Sequence, residues 1–170
     1  MTNFIPIFPL SIIVYPGESL HLHIFEPRYK QLIGECYKSK KSFGIPVVIN
    51  DRVSEMGTTV MIEEISKEYE DGKMDIKTQG LKVFKVLEMV SELPEKLYSG
   101  AIVNYPDNLK KGNRELMQAL VRSVRELHRL LKLEKDFKKP DDMLWTYDVA
   151  HHAGLSLVQE YGYEVCHDSF

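Results

Sequence analysis

The most informative part of the chain is residues 15–33, which read YPGESLHLHIFEPRYKQLI. Pro16-Gly17 predicts a tight turn, because proline presets φ at the second position and glycine tolerates a positive φ at the third. Leucine and histidine then alternate over residues 19–23, as in a strand with one buried face. Pro27 suits the first turn of a helix, and one helical face then carries the apolar residues Tyr29, Leu32, Ile33, Cys36 and Tyr37.

Short extended runs surround this turn–strand–helix unit. Residues 4–8 are a strand candidate that Pro6 places at a sheet edge or a bulge. Asp71-Gly72 marks a hairpin turn, and Gly80 marks a bulge or a bend. The other strand candidates are residues 43–49, residues 58–65, residues 74–79 with an extended continuation over 81–87 after Gly80, and residues 97–105. Six or more short strands with one early helix predict a small, partly closed β-barrel over residues 1–106.

The chain changes character at residue 107, where helical periodicity replaces the strand pattern. Asn113 is a good N-cap, and leucine and valine recur at helical spacing over residues 116–131. Further helices are predicted at residues 142–152 and 157–161. Residues 163–170 do not continue an amphipathic pattern, which leaves room for an incomplete helical subdomain over residues 107–170. The predicted fold class is therefore α+β, a barrel followed by helices.

The composition is that of a globular protein, with 44 % hydrophobic and 28 % charged residues in a chain of 170. The formal net charge of -3 gives no reason to expect nucleic acid or an anionic membrane as a partner. No segment is long and apolar enough to span a bilayer, and the amino terminus lacks the basic region of a signal peptide. The two cysteines are far apart, so we expect free thiols in a reducing compartment, the cytoplasm.

Side chains with catalytic or metal-binding chemistry are present but form no recognised motif. His21 and His23 share a strand face and could share a metal ion, but the further ligands are missing nearby. His151 and His152 point about 100° apart on a helix and cannot chelate one ion together. Neither a GxSxG motif nor a glycine-rich phosphate loop occurs. The carboxylates around the predicted hairpin are typical of a solvated tip: Glu63, Glu64, Glu68, Glu70, Asp71 and Asp75. We expect no catalytic residue, no metal and no cofactor.

A basic helix, Arg114–Lys132, supports an alternative function, RNA binding. Residues 106–140 carry a net charge of +5, and five basic side chains share a face roughly opposite the leucines: Arg114, Arg122, Arg125, Arg129 and Lys132. A basic stripe can track phosphates. The same stripe is expected on an ordinary solvated helix face, or on one that rests against the acidic remainder of the chain. RNA binding would weaken steeply with added salt, whereas apolar capture of a peptide would change little.

Residues 8–33 resemble the opening signature of the Lon protease N-terminal (substrate-binding) domain family. The matching residues are Phe8-Pro9-Leu10, Tyr15-Pro16-Gly17-Glu18-Ser19-Leu20 and Leu22-His23-Ile24-Phe25-Glu26-Pro27-Arg28-Tyr29, with Leu32. Later blocks are also similar: Phe43-Gly44, Gly57-Thr58 with Val60 and Ile62, Asp71-Gly72, and Gly80 before Phe84. Lys82-Val83 stands where arginine is common in the family. The helical tail fits more loosely.

This resemblance implies a PUA-like, partly closed β-barrel with one early helix, followed by a C-terminal helical subdomain. It also implies recognition of protein substrates, a role in protein quality control and a link to a protease system. The ATPase and Ser–Lys peptidase of full-length Lon do not fit in 170 residues, and the chain carries no Walker motif. The chain therefore resembles the standalone members of the family.

Within the signature, Pro16, Gly17, Glu26, Pro27 and Arg28 are expected to be structural. The first two make the turn, the next two favour the start of a helix, and the arginine is expected to pair with an acid that locks the helix onto the barrel. Phe25 is expected to pack in the barrel.

Apolar residues at strand ends and turns are the candidates for peptide contacts: Phe8, Tyr15, Leu20, Phe25 and Tyr105. The leading function is non-catalytic binding of unfolded or exposed apolar polypeptide segments. The client's side chains would be buried in a groove between the barrel and the helices, with a barrel edge as a further place for main-chain pairing. No membrane partner is expected, and the client and the oligomeric state stay open.

Overall fold

The computed structural model describes residues 3–107 and 113–166 of the chain. The chain divides into two compact units, Met1–Asp107 and Asn108–Phe170. The first unit contains β1 (Asn3–Pro6), β2 (Ser19–Ile24), α1 (Pro27–Ser39), β3 (Phe43–Ile49), β4 (Arg52–Glu68), β5 (Met74–Val90) and β6 (Gly100–Asn104). The second contains α2 (Arg114–Leu130), a 3₁₀ helix (Asp141–Met143), α3 (Thr146–Ala150) and α4 (Leu157–Cys166).

The strands of the first unit form one mainly antiparallel sheet. Its order is β1-β6-β5-β4-β3, and β2 pairs with β5 beside this path. Parallel bridges join Ile7 to Gly44 and Leu10 to Val47, so the segment after β1 reaches β3 and partly closes the sheet. Along the edge opposite β4, β5 pairs first with β2 and then with β6. The expectation of an α+β fold with a partly closed barrel is confirmed.

β4 and β5 are each 17 residues long, which is longer than the sequence pattern predicts. The extended continuation predicted from residues 74–79 through Gly80 into 81–87 is confirmed, because the backbone runs through Gly80 as one strand. The pairing shifts there, since Thr59 opposes Lys82 whereas Val60 opposes Gly80. Gly80 thus marks a β-bulge, as its position predicts, and a bulge bends a strand without ending it.

The turn before β2 is docked onto this bulge. Gly17 has a φ of 84°, in the region that glycine adopts without steric cost. Its N–H donates to the Gly80 carbonyl oxygen at 2.8 Å, and the Gly80 N–H donates to the Glu18 carbonyl oxygen at 2.8 Å. A Cβ on Gly80 would overlap the carbonyl oxygen of Tyr15. The turn and the bulge therefore fix the position of β2 on β5.

α1 packs one face against the core of the first unit. Its buried residues are Tyr29, Leu32, Ile33 and Cys36, four of the five that the spacing predicts, whereas the fifth, Tyr37, is exposed. The four buried residues join one hydrophobic cluster with residues of β3, β4 and β5, among them Phe43, Ile45, Val60, Ile62 and Ile76. Burying a large apolar side chain stabilises the fold by about 1.5–3 kcal/mol, so this face is what holds α1 in place.

The second unit is built on α2. The Oδ1 atom of Asn113 accepts hydrogen bonds from the N–H groups of Glu115 and Leu116 at 2.9 and 3.2 Å, which makes it the N-cap that the sequence predicts. The buried residues of α2 are Val121, Val124 and His128. Both valines form a core with Leu144 and Val149. The leucines of the predicted stripe are exposed instead: Leu116, Leu120, Leu127, Leu130 and Leu131.

The later helices differ from the sequence-based expectation. The helix predicted at residues 142–152 is a 3₁₀ turn followed by the five-residue α3. α4 continues to Cys166 instead of ending near Tyr161. The sequence predicts that residues 163–170 do not continue an amphipathic pattern. The side chains of these residues lie outside the described part of the chain, so this stays a prediction. Among the helices described, none is both long and apolar enough to cross a membrane.

Candidate functional site

β2 presents two different faces. Leu20 and Leu22 are partly buried against the core of the first unit, whereas His21 and His23 are exposed. The alternation predicted from the sequence is therefore present in the structure. In the register with β5, His23 lies directly opposite Asp75, so the exposed face of β2 brings an imidazole beside a carboxylate.

Three rings lie side by side where β2 ends, and we term His23, Phe25 and Tyr69 the aromatic strip. The His23 ring stacks on Phe25 with centroids 6.2 Å apart and meets Tyr69 edge-on at 5.7 Å. Asp75 holds two polar atoms of the strip, since Nδ1 of His23 donates to Oδ1 at 2.6 Å and the Tyr69 hydroxyl donates to Oδ2 at 2.7 Å. Phe25 is 56 % exposed. The strip therefore offers mainly ring surface to a partner.

Asp75 carries the charge at the centre of this arrangement. The hydrogen bond from His23 and, after it, the bond from Tyr69 lower the pKa of the Asp75 carboxyl. The same bond to Asp75 raises the pKa of the Tyr69 hydroxyl, and the ammonium of Lys67 lies 4.6 Å from the Tyr69 ring centroid. Near neutral pH Asp75 is ionised and Tyr69 keeps its proton. Neither group is poised to exchange a proton, so the arrangement suits binding better than acid–base catalysis.

The five predicted contact residues lie in different environments. Phe8 is 7 % exposed and stacks on Tyr29 with ring centroids 3.8 Å apart. Tyr15 is 1 % exposed, so neither Phe8 nor Tyr15 offers surface to a partner. Leu20 is partly buried on β2, and Tyr105 is partly buried against a second core cluster. The structure does not bring these four side chains together on one surface.

Phe25 is exposed, and the expectation that it packs in the barrel is wrong. The preceding Ile24 is 1 % exposed, and successive strand residues point to opposite faces, so Phe25 turns outward. Glu26 is the N-cap of α1 and Pro27 is at its first position. The expectation that Arg28 locks the helix onto the barrel is also wrong. Its guanidinium pairs with Glu26, at 2.8 Å from Nε and 2.7 Å from Nη2, within the start of the same helix.

The described residues contain no cluster of side chains suited to bind a metal ion. Among them, no three side chains of His, Cys, Asp or Glu are grouped closely enough to hold one. Cys36 is a buried free thiol, and burial raises its pKa to about 11, so the nucleophilic thiolate is scarce at neutral pH. In the hairpin, Asp71 pairs with Lys73 and Glu63 pairs with Lys77.

The basic helix forms, but two of its arginines are already paired. Arg125 donates to both carboxylate oxygens of Asp141 at 2.7 and 2.6 Å. Arg129 donates to both carboxylate oxygens of Glu126 at 2.8 and 2.6 Å. Lys132 lies beyond the end of α2. Because these carboxylates compete with phosphates for the guanidinium groups, the paired arginines weaken the case for RNA binding.

Sequence alone places Asp75 among the hairpin carboxylates and does not single out Tyr69. The available signal is the alternation over residues 74–79, which predicts a second strand with one exposed face. The pairing of His23 with Asp75 also needs the register of β2 on β5. That register depends on the docking of the Gly17 turn onto the Gly80 bulge, a contact between distant segments.

A match to a known protein family covers both units. The family model of the ATP-dependent protease La (LON) substrate-binding domain matches residues 5–159. This range includes the turn before β2, the aromatic strip and most of the helical unit. The chain belongs to the Lon substrate-binding domain family. The resemblance carried by residues 8–33 is thereby confirmed.

Solved Lon domains share the fold of this Lon-family chain. The crystal structure of the Lon N-terminal domain protein from Xanthomonas campestris has a TM-score of 0.70 and 23 % sequence identity, covering 94 % of this chain and 88 % of that one. The N-terminal domain of the Mycobacterium avium complex Lon protease has a TM-score of 0.65 and 12 % identity, covering 93 % of this chain and 87 % of that one. At these identities the likeness is one of fold.

Proposed function

We propose that this Lon-family chain is a non-catalytic module that binds unfolded or exposed apolar polypeptide segments, as one component of a protease system in the cytoplasm. Membership of a substrate-binding family supports substrate binding in general. The polypeptide nature of the client and the surface that takes it are our proposal. We assign the contact surface to the barrel subdomain, residues 1–106, and leave residues 107–170 as a separate helical subdomain.

The aromatic strip is the observation that carries this proposal. Asp75 occupies Nδ1 of His23 and the hydroxyl of Tyr69, so the surface that remains for a partner is largely aromatic. Contact with the apolar side chains of an unfolded client removes both surfaces from water, at about 25 cal/mol for each Å² of apolar area buried. Three rings accommodate one or two client side chains, which fits transient binding through a small interface.

The same geometry argues against a hydrolytic role for the strip. His23 and Asp75 are arranged like the histidine–carboxylate part of a catalytic triad. The side chains whose rings contact His23 are Phe25 and Tyr69, and the Tyr69 hydroxyl is already bonded to Asp75 with its pKa raised. Ser66 lies beside this pair, but its hydroxyl donates to the main-chain carbonyl oxygen of Asp75 at 3.1 Å instead of to the imidazole. The histidine–carboxylate pair therefore supports the rings in a fixed arrangement.

The proposal is tested by titrating fluorescently labelled, reduced and carboxymethylated lactalbumin with the full chain and two variants. Phe25→Ser removes the most exposed ring of the strip. Leu87→Ser removes a side chain of similar exposure, 51 %, near the opposite end of β5 from Asp75. We expect Phe25→Ser to raise the Kd about tenfold, which corresponds to about 1.4 kcal/mol, and Leu87→Ser to leave the Kd within about twofold, close to unchanged on the same scale.

Two results would contradict the proposal. One is equal binding of native and unfolded lactalbumin, which would remove any preference for exposed apolar segments. The other is the same loss of binding in both variants, which would remove the strip from the interface. A short labelled RNA in the same assay tests the alternative that the basic helix is the functional surface. RNA binding that weakens steeply with added salt and is lost in Arg122→Ala would favour α2 over the aromatic strip.

A further inference from the structure

β2 has one edge that pairs with β5 and one open edge. It pairs with β5 along all six residues, and within the described ranges no other strand pairs with it. The Gly80 N–H donates to the Glu18 carbonyl oxygen, and bonded pairs alternate along antiparallel strands. By this alternation the N–H and C=O groups of every second residue of β2 point away from β5: Ser19, His21 and His23.

A side-chain contact agrees with this assignment. The carbonyl oxygen of Leu20, which the alternation directs toward β5, accepts a hydrogen bond from the Thr78 hydroxyl at 3.0 Å. The outer edge of β2 is therefore a row of main-chain donors and acceptors that faces away from the sheet.

This edge lacks the features that protect exposed strands from pairing, namely charged side chains, proline and bulges. The outer edge of β4 over residues 61–68 has two of these features, charged side chains and shifts in pairing. It carries Glu63, Glu64, Lys67 and Glu68, and its pairing with β5 shifts twice. β2 reads SLHLHI, with no acid, lysine, arginine, proline or glycine, and pairs with β5 without a shift. A regular and unprotected edge is a template for one more strand.

We propose that an extended client segment adds to the outer edge of β2 as an additional strand, held by main-chain hydrogen bonds to Ser19, His21 and His23. This inference rests on the proposed function for the polypeptide nature of the client and specifies how the client binds. An extended backbone repeats its N–H and C=O groups every second residue, at about 6.6–6.8 Å, which matches the spacing on β2.

The aromatic strip makes this edge suited to apolar segments. Phe25 directly follows β2, and His23 belongs to both the edge and the strip. A strand added here would place every second side chain on the face that carries His21, His23 and Phe25. The client that fits best is an uncharged segment with an apolar residue at every second position and without proline, because proline has no N–H to donate.

A second copy of this chain is the weaker candidate for the same edge. Six residues span only about 20 Å, and two such strands bury far less than the roughly 1,200 Å² at which specific interfaces begin. A dimer held by β2 alone would dissociate readily. A transient complex with a client needs no larger interface, so the client segment is the occupant we infer.

The test compares two peptides with identical side chains. The parent peptide alternates valine and threonine and ends in lysines for solubility, and its partner carries N-methyl groups on every amide of the valine–threonine run, so that neither of its edges can pair. We expect the N-methylated peptide to bind at least about tenfold more weakly, as expected from the loss of several hydrogen bonds. We also expect the parent alone to slow amide hydrogen exchange at Ser19, His21 and His23.

Equal binding of both peptides would overturn the edge proposal and leave the proposed function standing. Failure of both peptides and of unfolded lactalbumin to bind would contradict the proposed function itself.

A pair of variants at one position tests the edge from the protein side. His21→Pro removes an outward N–H without removing a bond to β5, a change that edge strands tolerate, whereas His21→Ala keeps the N–H and removes the ring. We expect His21→Pro to weaken binding of the parent peptide at least about tenfold and His21→Ala by less than about threefold. If His21→Pro does not fold, the two peptides decide the question. A different result would overturn the proposal: if protection of the same amides from exchange increases with protein concentration in the absence of peptide, the edge binds a second copy of the chain.

Discussion

The Tyr98 hydroxyl donates a hydrogen bond of 2.6 Å to Oε2 of Glu35 on α1, and the ammonium of Lys96 donates one of 2.8 Å to Oε1 of the same carboxylate. One turn earlier on α1, Gln31 makes two further bonds to the main chain of the loop between β5 and β6. Polar contacts therefore tie this loop to the helix that follows Phe25. The position of α1 depends on them as well as on its buried face.

The Glu35 contacts predict a loss of stability in acid. The hydrogen bond from Lys96 and, after it, the bond from Tyr98 lower the pKa of Glu35 below its ordinary value. A carboxyl whose folded-state pKa is lowered contributes its stability above the unfolded pKa, near 4.3, and loses it as the pH falls through the folded value. Urea unfolding at stepped pH should show a shallower acid slope for Glu35→Gln, with a loss of about 0.5 kcal/mol at pH 7.

Glu92, an exposed carboxylate in the same loop, provides the control for this experiment. Glu92→Gln should keep the acid slope of the unchanged chain. If Glu35→Gln and the unchanged chain lose stability in parallel below pH 5, the Glu35 contacts do not contribute to folding.

Substitution of glycine by alanine should have opposite effects on stability at Gly80 and at Gly34. A Cβ on Gly80 would overlap the Tyr15 carbonyl oxygen, whereas a Cβ on Gly34, inside α1, would meet nothing within 4 Å. Gly80→Ala should destabilise the chain by about 1–3 kcal/mol, because backbone must move. Gly34→Ala should stabilise it by about 0.5–1 kcal/mol, because alanine loses less entropy in a helix. Denaturant unfolding measures both, and a neutral Gly80→Ala would show that β2 can leave the bulge freely.

Cys36 should be unreactive in the folded chain. It is 4 % exposed, and burial raises its pKa to about 11. In a Cys166→Ser variant, where Cys36 is the remaining cysteine of the sequence, a disulfide reagent such as DTNB should react slowly in native buffer at pH 8 and at once in denaturant. Stoichiometric reaction within the mixing time in native buffer would mean that α1 opens readily from the core.

His128 should be a stabilising residue of the helical unit. It is 5 % exposed, with Nε2 3.0 Å from the His152 carbonyl oxygen and Nδ1 3.3 Å from the Lys135 carbonyl oxygen. His128→Phe keeps a ring but leaves these contacts unmade, so we expect a loss of about 1–3 kcal/mol. Hydrogen exchange of the α2 amides reports this loss directly. Unchanged exchange would show that the two carbonyl contacts do not hold the unit together.

Short-range signals predict the elements of the candidate site well. The turn at Gly17, the alternation in β2 and the buried face of α1 all appear where residues 15–33 place them, because each depends on neighbours within one turn or strand. The leucines of α2 show the limit of this reasoning. Periodicity predicts one apolar stripe of leucines and valines, but of these residues the valines Val121 and Val124 form the core with Leu144 and Val149, whereas the leucines are exposed. Which part of a helix face is covered depends on the element that packs there.

The sequence by itself determined the turn, the strand and the helix around the signature, since proline, glycine and apolar spacing act over a few residues. Tertiary structure decided what these elements present to a partner. His23 meets Asp75, 52 residues away, because β2 is held in register on β5 by the docked turn. The outer edge of β2 is open because no other described strand reaches it. Pairing between distant segments is a property of the whole fold, and no local pattern specifies it.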